Sequence, residues 1–264
     1  MKWNTKDEML AQSCRDKGMT FKEISASLGV TPTSVKHKIR RLSQALNKDK
    51  YKHTKEKLDQ LNLVSGHLLN SDIHILETHC GFGGMSENYS LIGNVEGYDI
   101  DKSRAHTTNM LHENITAIHG DSEQEVFRLI SHKCIYDIVD IDPYGFPSRY
   151  FPHAFRLIND GLMFLTFPVM GVAQINKITI RHYMAFWGIK LSDKERYIDL
   201  IKAKLEDFAF QNKRGIDFLD IRKIGRIYRL AIRVKRRSLC EIVGLDVNRH
   251  ECKAIKDSSQ LELL

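Results

Sequence analysis

The sequence predicts an α/β domain built on an open sheet, preceded by a small all-α unit. Three observations carry that prediction. Short apolar runs at 73–77, 95–99, 115–118 and 136–141 alternate with helically patterned stretches, the order expected of βαβ units. The runs lead into glycine or aspartate, where open α/β sheets present their ligand crevice. From Trp3 to Leu42, capping boxes and a helical apolar period appear instead.

Ile73-His74-Ile75-Leu76-Glu77 reads as the first buried strand, followed by Cys80-Gly81-Phe82-Gly83-Gly84-Met85 and a helical pattern. Glycines at such a turn let backbone approach a ligand where a Cβ would block it. Taken alone, Gly81-x-Gly83 fits a plain tight turn equally well. The second strand, Val95-Glu96-Gly97-Tyr98-Asp99, ends in a carboxylate roughly 20 residues downstream. That is the spacing at which an acid meets ribose hydroxyls in nucleotide-binding βαβ units. A third strand, Ile115-Thr116-Ala117-Ile118, runs into His119-Gly120-Asp121.

The fourth run, Tyr136-Asp137-Ile138-Val139-Asp140-Ile141, is apolar enough to be buried and opens into Asp142-Pro143-Tyr144-Gly145. A carboxylate, a proline carbonyl and an aromatic ring stand there in consecutive positions. The two acceptors can take both hydrogens of an exocyclic NH2 group, and the ring can stack on a base. The expected chemistry is therefore on the amino group of a nucleobase, flipped out where it comes from a duplex. Tyr144 is the expected stacking partner, with Phe146 or Tyr150 as the second wall. Asp140 shares a face with Asp142 and fits a structural acid as well as a functional one.

This order of strand ends resembles the class I S-adenosylmethionine-dependent methyltransferases, over about Asp72 to Lys235. The resemblance implies a Rossmann-like sheet flanked by helices, with S-adenosylmethionine as cofactor. It implies Glu77, Gly81 and Gly83 around the methionine part, Asp99 on the ribose and Asp121 on the adenine amine. It also implies Asp142, Pro143 and Tyr144 at the reacting amine. In the amino-methyltransferases the fourth motif is usually Asp/Asn-Pro-Pro-Tyr/Phe. Here the second proline is missing and Tyr144 comes one place early, a variant similar to the tRNA guanine-N2 dimethyltransferases. Phe151 to Thr166, and Arg214-Gly215-Ile216 leading into Tyr228 to Val234, resemble theirs too. Cys80-Gly81-Phe82-Gly83-Gly84-Met85-Ser86 looks like the cofactor loop of DNA cytosine-C5 methyltransferases. Their nucleophile belongs to a Pro-Cys pair in the fourth motif, where this chain has Asp-Pro. Cys80 is accordingly read as a small residue packed beside the cofactor.

At the N-terminus, Thr5-x-x-Glu8 and Thr20-x-x-Glu23 are capping boxes. Thr31-Pro32 places a cap and a first-turn proline on a third helix. Ile24, Leu28 and Val30 bracket Gly29, and Val35, Ile39 and Leu42 keep a helical period. Helix, glycine turn, helix is the pattern of a helix-turn-helix. Its third helix offers Thr33, Ser34, Lys36, His37, Lys38, Arg40 and Arg41 to base edges and phosphates. A solvated face of a protein-binding bundle is the alternative.

At 264 residues the chain accommodates both units. The expected division is 1–46 for the helix-turn-helix, 47–70 for a linker and packing helix, 71–237 for the α/β domain, and 238–264 for a C-terminal extension. In the linker, Leu58, Leu61, Val64, Leu68 and Leu69 suggest a helix on the sheet, interrupted near Ser65-Gly66. The stretch from Gly171 to Lys213 reads as helical. A net charge of +7, from 40 Lys+Arg against 33 Asp+Glu, permits a polyanionic partner. Five cysteines without a Cys-x-x-Cys pair read as the reduced thiols of a cytoplasmic protein. Neither a metal-ligand spacing nor an apolar run of membrane-spanning length is found. Surface or loop histidines are expected at His74, His79, His106, His112 and His119. Arg229, Arg233, Arg236 and Arg237 read as solvated sheet-edge charges or a phosphate track.

The function expected from these readings is methyl transfer to the exocyclic amine of a DNA base, adenine N6 first. The helix-turn-helix favours duplex DNA over tRNA, and the fourth motif favours tRNA guanine N2. A DNA-binding regulator with a cofactor-binding but inactive domain is the remaining alternative.

Overall fold

The structure, a computed structural model, describes residues 7, 10–11, 14–15, 17–40, 53–68, 71–143, 150–169 and 196–237. Tyr144, Phe146, Arg41, the Thr5-x-x-Glu8 box and residues 171–195 of the stretch expected to be helical lie outside them.

The N-terminal pattern folds as its caps dictate. Helix α1 (Phe21–Leu28) starts at Thr20, whose hydroxyl accepts from the Glu23 N–H while the Glu23 carboxylate accepts from the Thr20 N–H. Gly29 closes it in the left-handed region, at φ 63°, where a Cβ would be strained. Helix α2 (residues 32–40) follows directly, with the Ser34 N–H donating to the Thr31 hydroxyl. Ile24, Val35, Ile39 and Ala11 are buried together as a separate small core.

Helix α3 (Thr54–Val64) ends where Ser65-Gly66 was expected to interrupt it, in a single 3₁₀ turn, Ser65–His67. The sheet begins with β1 (Ile73–Glu77) and β2 (Gly93–Asp99), separated by the short helix α4 (Ser86–Tyr89). Helix α5 (Lys102–Asn109) precedes β3 (Ile115–His119), and α6 (Ser122–Ser131) precedes β4 (Ile138–Ile141). After α7 (Phe151–Ala154) come β5 (Asp160–Pro168), α8 (Tyr197–Gln211), β6 (Arg214–Ile224) and β7 (Ile227–Arg236).

The seven strands form one sheet in the order β3-β2-β1-β4-β5-β7-β6. β1 to β5 pair in parallel, whereas β7 runs antiparallel to both β5 and β6. Strand order reverses between β1 and β4, so the crevice beyond their C-terminal ends is the place for a ligand.

Alternate residues serve opposite faces. Leu76, Val139, Ile141, Met163 and Leu165 pack toward α6, α7 and α8. Ile75, Ile138, Leu162 and Phe164 pack on the other side with Tyr89 and with Leu61 and Val64 of α3. Register aligns Glu77 with Asp140, Asp140 with Phe164, and Thr166 with Arg229. Toward the C-terminal strand ends, the α3-covered face thus changes from aliphatic to charged.

Candidate active site

Asp140 continues the apolar row of Ile138 and is fully buried. Arg229 neutralises it in a two-pronged contact, Nη2 to Oδ2 at 2.6 Å and Nη1 to Oδ1 at 3.1 Å. The Tyr89 hydroxyl also donates to Asp140 Oδ2, at 2.7 Å. Arg229 Nη1 reaches the Thr166 hydroxyl at 3.1 Å, and its guanidinium lies over the Phe164 ring. Burial opposes charge on Arg229, but Asp140 outweighs it and raises the pKa. This corrects the reading of Arg229 as an edge or phosphate-binding charge: β7 lies inside the sheet, between β5 and β6. Its clue was one arginine immediately before the buried run Leu230-Ala231-Ile232.

Asp142 stands one alternation beyond Asp140. Lys57, from α3, forms an ion pair with its Oδ2. Burial pushes the Asp142 carboxyl up, yet Lys57 and Arg229 outweigh burial and hold it well below the usual carboxylate range. It is therefore an ionised acceptor at neutral pH. Lys57 was missed because a lysine reads as part of a solvated face. Its clue was position, since residues 57, 61 and 64 lie on one helical stripe. Gln60, also buried, donates to Asp220 at 2.9 Å and to the Arg229 carbonyl at 3.2 Å.

The residues expected around a cofactor converge on the ends of β1, β2 and β3. Gly81 and Gly83 have φ of +55° and +79°. A Cβ on Gly83 would meet the Leu111 side chain at 2.3 Å, whereas one on Gly81 would project into open space. Gly81 is held on both sides: its N–H donates to Asp99 Oδ2 at 3.0 Å, and its carbonyl accepts from the Thr108 hydroxyl at 2.9 Å. Asp99 Oδ1 accepts from the Asp101 N–H at 2.8 Å. Asp121 caps α6 through one oxygen, accepting from the Glu123 and Gln124 N–H groups. Glu77 is buried and accepts from the Ser86 hydroxyl at 2.5 Å. Burial first, and then the neighbouring Asp140 carboxylate, push its pKa well up. Cys80 is buried beside Gly97, and burial raises its thiol pKa, so it carries no thiolate.

One expectation near the crevice changes. Tyr150 is one of two residues, with Phe146, expected as the second base-stacking wall, but it is 1% exposed, belongs to the α7 side of the core and donates to the Thr78 hydroxyl. A base has no access to its face in this arrangement. His79 lies in the turn after β1, a loop position as expected. It is half-buried, hydrogen-bonded through Nδ1 to Thr78 at 2.8 Å and stacked toward Tyr150. Burial outweighs the fields of Asp142, Asp99, Asp140 and Asp121 and lowers its pKa, leaving a neutral imidazole at pH 7. On α2, Thr33, Lys36, His37 and Arg40 are exposed, opposite the buried Val35 and Ile39, while Ser34 and Lys38 are half-buried.

Neither a protein-family model nor a curated protein matches the sequence. Solved structures do match. Trm1 from Pyrococcus horikoshii, in complex with S-adenosyl-L-methionine, aligns with a TM-score of 0.52 at 15% identity over 74% of this chain. The fold is that of the class I S-adenosylmethionine-dependent methyltransferases. The chain spans 56% of the length of that Trm1 chain. M. jannaschii TYW2, in complex with AdoMet, aligns at a TM-score of 0.45 and 11% identity, over 69% of this chain and 76% of its own. Among the described residues, no helix is long and apolar enough to cross a membrane.

Proposed function

We propose that this chain is a nucleic-acid N-methyltransferase, acting on the exocyclic amine of a base with S-adenosylmethionine as donor. The observation that carries the reading is the ionised Asp142, followed by Pro143, at the switch point of a methyltransferase sheet. When bound, S-adenosylmethionine supplies an electrophilic sulfonium methyl. The acid-rich crevice suits that cation. Glu77 would face the methionine end, Gly81 and Gly83 would let backbone approach it, and Asp99 and Asp121 would hold ribose and adenine.

An aryl amine is a poor nucleophile because its lone pair is delocalised into the ring. Asp142 and the Pro143 carbonyl, accepting from the NH2, favour a pyramidal nitrogen. Their contribution grows in the transition state, where positive charge develops on that nitrogen. In-line approach is a positioning task. Tyr144 would stack on the base, with Phe146 opposite. The proton leaves the methylated amine to Asp142 or to water.

Two targets follow from two different features. The exposed Thr33, Lys36, His37 and Arg40 on α2 support duplex DNA, with adenine N6 as the first choice and the base flipped out. The Asp142-Pro143-Tyr144-Gly145 motif supports tRNA and guanine N2. The experiment is nucleoside mass spectrometry on DNA and tRNA from cells expressing the chain or its Asp142→Ala variant. One methylated nucleoside present only with the wild-type chain is expected. Its absence from both pools would overturn the reading.

A further inference from the structure

We propose that Lys57 is a positioning residue for methyl transfer: from helix α3 it grips one oxygen of Asp142 and fixes the carboxylate toward the incoming amine. The inference rests on Asp142 being the acceptor of the substrate amine.

The geometry separates this role from ordinary packing. Lys57 is held on the apolar stripe of α3, where Leu61 and Val64 bury their side chains, and only 10% of its side chain is exposed. A buried ion pair of this kind gives little net stability, because desolvation of both charges offsets their attraction. Its consequence is orientation. Asp142, at the mouth of β4, retains 23% exposure, while Lys57 reaches it from α3, which packs on one face of the sheet. The carboxylate is thereby restrained without closing its route to a ligand. Gln60, one turn along α3, ties the same helix to the Arg229 backbone. Arg229 holds Asp140, so α3, β4 and β7 are braced together behind the reacting position.

Among the described residues, the charges around Asp142 are Lys57 from α3, Arg229 from β7, Asp140 from β4, and Glu77 and His79 from the end of β1. Lys57 is the largest influence favouring ionisation. Without it, Asp142 would stand half-buried beside Asp140 with Arg229 already paired to that residue. Its carboxyl would then protonate at higher pH, and activity would disappear sooner as pH falls.

The test uses the full chain with Lys57→Met, Lys57→Arg, Lys57→Gln and Asp142→Asn. Transfer of labelled methyl to total tRNA and duplex DNA is followed at saturating S-adenosylmethionine across pH. Lys57→Met should lower kcat on the order of 10- to 100-fold, the scale of a misplaced reacting group, with KM nearly unchanged. The acid limb of its profile should move to higher pH. Lys57→Arg should recover most of kcat and the original limb. Lys57→Gln, neutral but polar, gives the same reading where methionine prevents folding. An inactive Asp142→Asn together with a Lys57→Gln that keeps wild-type kcat and acid limb would overturn the inference alone. A faster Lys57 variant would also overturn it, making the lysine a plug. A fully active Asp142→Asn would sink the functional reading instead. Infrared difference titration of the Asp142 carboxyl, assigned by subtracting Asp142→Asn, needs no substrate. An unshifted titration without Lys57 overturns the inference in either case.

Discussion

Arg229 and Asp140 meet through two hydrogen bonds, and neither side chain has any exposure to solvent. Removing one partner strands the other charge in the core. Arg229→Met or Asp140→Leu alone should cost about 3–5 kcal/mol in urea unfolding. The double variant should recover most of that loss, because no uncompensated charge remains. Additive losses in the double variant would mean that packing, rather than charge pairing, holds these strands together.

How much of this was readable from sequence depends on distance along the chain. The strands announced themselves by local apolar runs, and the capping pattern at Thr20 and Glu23 is a four-residue signal that folds as read. Asp142 stands out in the sequence because its strand and its proline are adjacent to it. Lys57 and Arg229 were not, because their meaning lies in partners 85 and 89 residues away. On a helix, a lysine that follows Lys55 and Glu56 reads as solvated until the opposing sheet face is known. Tyr150 fails for the complementary reason. Its place after the motif suggested a pocket wall, but the ring packs into the core on the α7 side of the sheet.

Asp99 organises the turn it faces, accepting from both the Gly81 and Asp101 N–H groups. Asp99→Ala should weaken S-adenosylmethionine binding by roughly 1–3 kcal/mol, through lost ribose contacts and stranded donors. Calorimetric titration measures this directly. Unchanged affinity would remove Asp99 from the cofactor site. Asp101, the next acid along, caps α5 through the Ser103 and Arg104 N–H groups, so Asp101→Ala should lower stability more than affinity.

Glu77 supplies a pH dependence. Burial and Asp140 raise its carboxyl pKa in the free protein, so it is protonated below that raised value and ionised above it. A cationic ligand favours the ionised form. Cofactor binding should therefore release a proton, and affinity should rise as pH increases through the Glu77 titration. Calorimetry in buffers of different ionisation enthalpy detects the release. Glu77→Gln should abolish it; proton uptake in the wild type would contradict the assignment.

The N-terminal unit separates the two substrate readings. Its core of Ala11, Ile24, Val35 and Ile39 shares no residue with the two cores of the sheet. Deleting Met1 to Gln44 should therefore leave the α/β domain folded with α3 and Lys57 in place. S-adenosylmethionine affinity should survive. If Lys36, Lys38, Arg40 and Arg41 contact phosphates, duplex affinity should fall, and its dependence on salt should become shallower by roughly 0.9 per lost contact. Methylation should persist at high DNA concentration, because Asp142 is untouched. A truncated chain that methylates tRNA and ignores DNA at every concentration would decide for guanine N2. The exposed face of α2 would then be an RNA-positioning or partner-binding surface, and the fourth motif would be the better guide to substrate than the helices that precede it.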